Sequence, residues 1–108
     1  MRTDTSPKLL EMLRSVAPNL SRVAVLLNPT NTSQSILLTG VQSAAQNMSL
    51  TILPVEVRSA PDIETAFAAI SQGNAGAVIV VRDGVFLEQR RQIAELAAKN
   101  RLSTISDN

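Results

Sequence analysis

The side chains of this sequence that could do chemistry gather in two short polar runs. Asn28-Pro29-Thr30-Asn31-Thr32-Ser33 supplies amides and hydroxyls, while Arg82-Asp83-Gly84-Val85 supplies one cation and one carboxylate; Arg58-Ser59 and Ser106-Asp107-Asn108 are smaller polar pieces. Such groups suit the non-covalent capture of a small polar molecule, in which a few placed hydrogen bonds fix orientation. They do not suit the commoner catalytic schemes. The chain has no Cys and no His, which removes thiolate nucleophiles, disulfides, zinc centres and imidazole acid–base chemistry. An enzyme would have to rely on Asp83, Arg82 or a lysine. We therefore expect no catalysis by this chain alone, no cofactor and no metal, and take Asn28, Thr30, Asn31, Thr32, Arg82 and Asp83 as the candidate ligand-binding residues.

Each of these residues also has a simpler role. Thr32 or Ser33 can cap the helix that follows it, and Asp83 can cap the next, although a cap and a ligand contact can be the same residue. Arg58 and Arg82 fit solvated surface charges, and Arg90-Arg91, on a helix stripe facing water, is given no function.

Periodicity defines the elements that must hold these loops. Leu9, Met12, Leu13 and Val16 repeat at helical spacing over Pro7 to Ala17, with Ser6 as cap and Pro7 in the first turn. Arg22 to Asn28 (RVAVLLN) is a continuous aliphatic run, as in a parallel strand covered on both faces. A second helix begins near Thr32 and carries Leu37, Val41, Ala44, Ala45 and Met48. Leu50 to Val57 reads as a strand, and Pro54, which cannot donate to a ladder, places it at the sheet edge. Ser59 and Asp62 have the spacing of a capping box ahead of the stripe Ile63, Ala66, Phe67, Ile70. Gly73 to Gly76 ends that helix, Ala77 to Val81 is a third buried strand, and Phe86, Ile93, Ala94 and Ala97 mark one fourth helix running to about Asn100. Ser103 to Ser106 is a last short strand.

At 108 residues the chain makes one domain, with no linker, repeat or low-complexity tract. Hydrophobic residues at 44% and charged residues at 18% are those of an ordinary globular protein. A net charge of +1 gives no field that would draw it to nucleic acid or anionic lipid. No apolar run approaches the roughly 20 residues of a membrane span, and Met1 to Lys8 has no signal-peptide core, so a soluble chain without membrane insertion is expected.

Strands alternating with helices imply an α/β fold: a three-layer, flavodoxin-like or Rossmann-like open parallel sheet of four strands, order 2-1-3-4, with helices on both faces. Ligands of such sheets sit beyond the carboxyl ends of the strands where strand order reverses. That point lies between the first and third strands, where the two polar runs arrive. A first helix antiparallel to the first strand returns both chain ends to the same edge, the expected pattern of one lobe connected twice to a second.

These residues resemble a known family. Lys8-Leu9-Leu10-Glu11-Met12-Leu13, then Ala17-Pro18-Asn19-Leu20-Ser21-Arg22-Val23-Ala24-Val25-Leu26-Leu27-Asn28-Pro29, is similar to the corresponding stretch of ABC-transporter substrate-binding proteins of the TrpX-like family. Pro54-Val55-Glu56-Val57-Arg58, Ile63-Glu64-Thr65-Ala66-Phe67, and Phe86 with Arg90-Arg91-Gln92-Ile93-Ala94-Glu95-Leu96-Ala97 continue it in order. The resemblance implies the second lobe of a type I periplasmic binding protein. It would capture a small solute, such as an amino acid, in an interlobe cleft outside the cytoplasmic membrane and deliver it to ABC permease subunits. Gly84 after Asp83, where relatives often have Pro, and Leu27 in place of a frequent Trp are departures that bear on ligand identity. An isolated lobe also exposes apolar surface near its termini, which is compatible with a homodimer.

Other functions share the topology. A receiver domain needs an acidic pair after the first strand, and Asn28-Pro29 removes it. A flavodoxin-like phosphate- or nucleotide-binding module could use Thr30-Asn31-Thr32-Ser33 at a helix start, but the chain has no Trp or Tyr to flank a flavin. The sensor lobe of a ligand-responsive transcription regulator has the same fold and differs by an upstream DNA-binding segment.

Overall fold

A computed structural model describes residues 6–30, 34–81 and 83–106. The elements are α1 (Ser6–Val16), β1 (Arg22–Leu27), α2 (Gln34–Asn47), β2 (Thr51–Glu56), α3 (Asp62–Gln72), β3 (Ala77–Val80), α4 (Gly84–Glu88), α5 (Arg90–Lys99) and β4 (Ser103–Ser106). The strands form one parallel sheet in the order β2-β1-β3-β4. Order and direction are those the aliphatic runs and the edge-seeking Pro54 imply: β2 lies at a rim, with Pro54 beside Val25.

Alternation along the central strands divides the core into two. Val23, Val25 and Leu27 of β1, with Ala77, Ile79 and Val81, pack with Leu10 and Leu13 of α1 and Val41, Ala44 and Ala45 of α2. Ala24, Leu26 and Val78 face the other way, onto Ile63, Ala66, Phe67 and Ile70 of α3, Phe86 of α4, and Ile93 and Ala97 of α5. Side chains that alternate along a pleated strand can fill both layers only if apolar residues occupy both parities. The runs RVAVLL and AVIV meet that condition.

Three details differ from the sequence expectations. On α1 the buried face is Leu10 and Leu13 with Ala17 beside them, while Met12 is 49% and Val16 71% exposed; the Leu9 and Leu37 side chains lie outside the described residues. The helix offers two overlapping stripes that share Leu13. The one ending on the small Ala17 is used, joining a cluster with Ala44 and Ala45 in which short side chains admit close helix approach. The expected single helix over Phe86 to Asn100 is two, parted at Gln89 (φ −101°, ψ 21°). Phe86 and Ile93 stand seven residues apart, about two turns, so their spacing is blind to a one-residue break, and Ala94 is exposed. The capping box at Ser59 and Asp62 does not form. Pro61 takes the cap position without a side-chain bond, the turn closes through the Asp62 N–H to the Ser59 carbonyl (3.0 Å), and the Asp62 carboxylate accepts instead from the Arg58 N–H (3.1 Å). α3 does end at Gly73, as expected; Gly73 itself keeps φ −79°, and its neighbour Asn74 supplies the left-handed residue.

Asn74 is one of three. Ser49 (φ 57°), Asn74 (φ 59°) and Arg101 (φ 56°) each stand two residues beyond α2, α3 and α5. After each, the next amide donates five residues back: Leu50 to Ala45 (2.9 Å), Ala75 to Ile70 (3.3 Å) and Leu102 to Ala97 (2.8 Å). This is the Schellman ending, with an apolar residue tucked in after the left-handed one. Only Asn among the three tolerates that conformation well.

Two measurements test this packing. Leu10→Ala should cost about 2 to 4 kcal/mol of stability and Met12→Ala less than about 0.5 kcal/mol, read by denaturant unfolding; equal losses would restore the other stripe. Arg101→Gly should raise stability by about 1 kcal/mol by relieving the left-handed backbone, visible as a higher unfolding midpoint.

Candidate functional site

β1 is paired on both edges up to its last residues. The Val81 N–H reaches the Leu26 carbonyl (3.2 Å) and the Val57 N–H the Leu27 carbonyl (2.8 Å). The chain then leaves the sheet at Asn28, which is 6% exposed and the one buried polar residue among those described. Burying a carboxamide is costly unless its groups are bonded. The Thr30 N–H donates to Asn28 Oδ1 (3.0 Å) and the Thr30 hydroxyl donates to the same oxygen (2.7 Å). This is an Asx-turn, in which an Asn side chain bonds the backbone two residues on. The turn also fixes which way the amide faces. A backbone N–H can only donate, so the oxygen is toward Thr30 and the nitrogen is left for the neighbouring loop.

There Asn28 Nδ2 donates to Asp83 Oδ2 at 3.3 Å, long for such a bond. Asp83 stands where β3 ends, with extended backbone (φ −165°, ψ 149°), and caps α4: its Oδ2 accepts from the Val85 N–H at 2.9 Å. One half-buried oxygen thus takes two donors, from two loops. Asp83 Oδ1 has no partner among the described residues, so the carboxylate keeps unused accepting capacity at the switch point. Beside it, a Cβ built on Gly84 would meet nothing within 4 Å, so there is open space next to the cap at that residue. What the arrangement can do is accept a hydrogen bond from an ammonium or hydroxyl group of a small molecule.

Of the six candidate residues, the structure brings together Asn28, Thr30 and Asp83. Asn31, Thr32 and Arg82 lie outside the described residues, as do Ser33, Asp107 and Asn108. Arg58 and Ser59 are exposed just past the end of β2. On α5 the Arg90 guanidinium donates to the Leu87 carbonyl (2.9 Å), satisfying an acceptor at the end of α4. Sequence reading did not reveal Asn28 as the link between two loops; the Asn-x-Thr spacing of an Asx-turn directly after a buried strand was the available signal. Among the described residues no three His, Cys, Asp or Glu side chains gather as a metal site would need, and no helix is long and apolar enough to cross a membrane.

By sequence, the chain matches no protein-family model and no curated protein. Its fold is that of one third or so of several solved proteins. It is similar to an ABC domain from Streptococcus pneumonia in complex with L-Trp (TM-score 0.86, 13% identity, 95% of this chain and 35% of that one). It is also similar to a ligand-free, open substrate-binding protein with adhesive properties from Clostridium difficile (TM-score 0.80, 13% identity, 98% and 35%). A third likeness is to a periplasmic sugar-binding protein of an ABC sugar transporter from Legionella pneumophila (TM-score 0.72, 12% identity, 96% and 41%). These establish an α/β, flavodoxin-like fold of the kind found in the domains of periplasmic substrate-binding proteins.

Asp83→Ala should lower stability by roughly 1 kcal/mol through loss of the cap, measured by denaturant unfolding. No change would mean that the Val85 N–H is satisfied by water in solution.

Proposed function

We propose that the chain is a solute-binding lobe of an ABC-importer substrate-binding protein, without enzymatic activity of its own, that captures a small molecule bearing an ammonium group, such as an amino acid. The observation that carries this reading is the unused Asp83 oxygen beside the Asn28–Thr30 turn, at the sheet edge where folds of this class receive ligands. The likeness of nearly the whole chain to about a third of each of several substrate-binding proteins supports it. In this proposal a second lobe closes the other side of the cleft, and Thr30, Asn31, Thr32 and Arg82 contribute hydrogen bonds and a positive charge toward the rest of the ligand. Delivery is to permease subunits, with the protein outside the cytoplasmic membrane.

Enclosure matters to the energetics. A cleft ligand gains much of its burial from being covered on both sides, and one open face leaves its charges hydrated. The lobe alone is therefore expected to bind weakly or not at all, and the two-lobed protein tightly. In the latter, Asp83→Ala should cost about 2 to 3 kcal/mol of affinity, against the smaller loss of a helix cap. Titration calorimetry with a panel of amino acids, alongside thermal melts of each variant, reads both quantities. A lowered melting temperature with unchanged affinity would remove Asp83 from the site, and micromolar binding by the lobe alone would overturn the half-site.

A further inference from the structure

Asn28 and Asp83 are nearly isosteric, but the hydrogen bonds around them treat the two positions differently: residue 28 both accepts and donates, whereas one oxygen of residue 83 accepts twice. Among the bonds described, Thr30 N–H and Thr30 hydroxyl donate to Asn28 Oδ1 and Val85 N–H to Asp83 Oδ2, while Asn28 Nδ2 to Asp83 Oδ2 joins the two residues to each other. Exchanging the residues does not reproduce this set. The one atom at position 83 that accepts from Val85 N–H is also the atom that faces position 28, and it cannot be an oxygen for the first and a donating nitrogen for the second. With its oxygen kept toward Val85, an Asn at position 83 would set an acceptor against the carboxylate of an Asp at position 28, so only a carboxamide at position 28 accepts from Thr30 and donates to residue 83. We infer that Asn28 is a positioning residue that acts through Asp83: its buried carboxamide draws the carboxylate Oδ2 toward β1, holds the β1 and β3 loops in register, and keeps the pair's single negative charge on the β3 side.

The chemistry favours this order. Asn28 is almost fully buried while Asp83 is half-buried beside the open space at Gly84. A charge costs less at the wetter position, and only there can it meet a ligand cation. A neutral carboxamide at position 28 supplies a donor without adding charge, so the carboxylate is oriented and not neutralised. A Lys or Arg at position 28 would pair with Asp83 and consume the charge that the ligand needs. An Asp there would set two carboxylates against each other. The functional weight of the inference rests on the ligand reading given above, but the positioning itself does not.

The test is therefore made on stability, with the full chain and without ligand. Asn28→Asp sets two acceptors face to face and should lower the folding equilibrium constant by roughly tenfold or more, the range found for residues in direct contact. Asp83→Asn keeps the cap and still accepts from Asn28, and should leave the constant within about twofold. The decisive variant is Asn28→Asp combined with Asp83→Asn, which removes the like charge facing position 28 and should recover part of the loss, about threefold or more in the folding equilibrium constant. Such recovery shows that position 28 acts on the carboxylate at position 83; an Asn28 needed only for its volume or for the Thr30 turn would give none. If the single variant fails to fold, folding of the double variant is the rescue. A double variant no more stable than Asn28→Asp, or unfolded like it, overturns the inference. Because no ligand enters, failure of the proposed function leaves this result readable.

Discussion

Strand β1 has neither a free edge nor a free face: it is hydrogen-bonded to β2 on one side and β3 on the other, and its last five residues are buried between two helical layers. A segment so enclosed can carry only apolar side chains, and all its backbone groups must be paired within the sheet. The rest of the molecule follows from satisfying that strand. Parallel neighbours require helical crossovers, right-handed crossovers cover both faces, and the strand order then reverses beside β1. The first place where the chain can afford polarity again is the residue after the strand, and that residue is Asn28.

The two ends of the sheet are consequently different in kind. At the end where helices return to strands, Ser49, Asn74 and Arg101 repeat one Schellman turn, each closed by backbone bonds and followed by an apolar residue. Arg22 adds a guanidinium bond to the Gly73 carbonyl (2.8 Å). Polarity there is consumed by the fold. At the opposite end, side chains replace backbone in closing the turns: Asn28 for the β1 loop, Asp83 for the start of α4. Side-chain acceptors with spare capacity leave something for a ligand to use, whereas backbone turns do not. This asymmetry is the physical reason that open α/β sheets bind at their carboxyl edge.

Much of this was legible in the residues. Continuous aliphatic runs marked β1 and β3 because both faces of each are covered, and Pro54 marked the rim because it lacks a donor. The stripe Ile63, Ala66, Phe67, Ile70 located the buried face of α3 because no competing stripe exists on that helix. On α1 a competing stripe does exist, and hydrophobicity alone preferred Met12 and Val16 over the small Ala17 that the helix packing uses. The break at Gln89 was invisible because apolar spacing across seven residues is the same with or without it. At the site, residue type identified Asn28, Thr30 and Asp83, and Asp83 as a cap. The Asn28–Asp83 contact was not legible, since it joins residues 55 apart in sequence through strand pairing.

That contact is the centre of the account, because it joins two loops into one candidate site. It is tested most directly by solution NMR of the uniformly labelled chain, comparing the side-chain amide of Asn28 with those of the exposed Asn47 and Asn74 in the same sample. The account predicts that the Asn28 NH2 protons are shifted from the common Asn position, exchange with water far more slowly than the other two, and show Overhauser contacts to the Val85 amide proton. An Asn28 amide that exchanges as fast as Asn47 and Asn74, with no contact to the β3 loop, would contradict it.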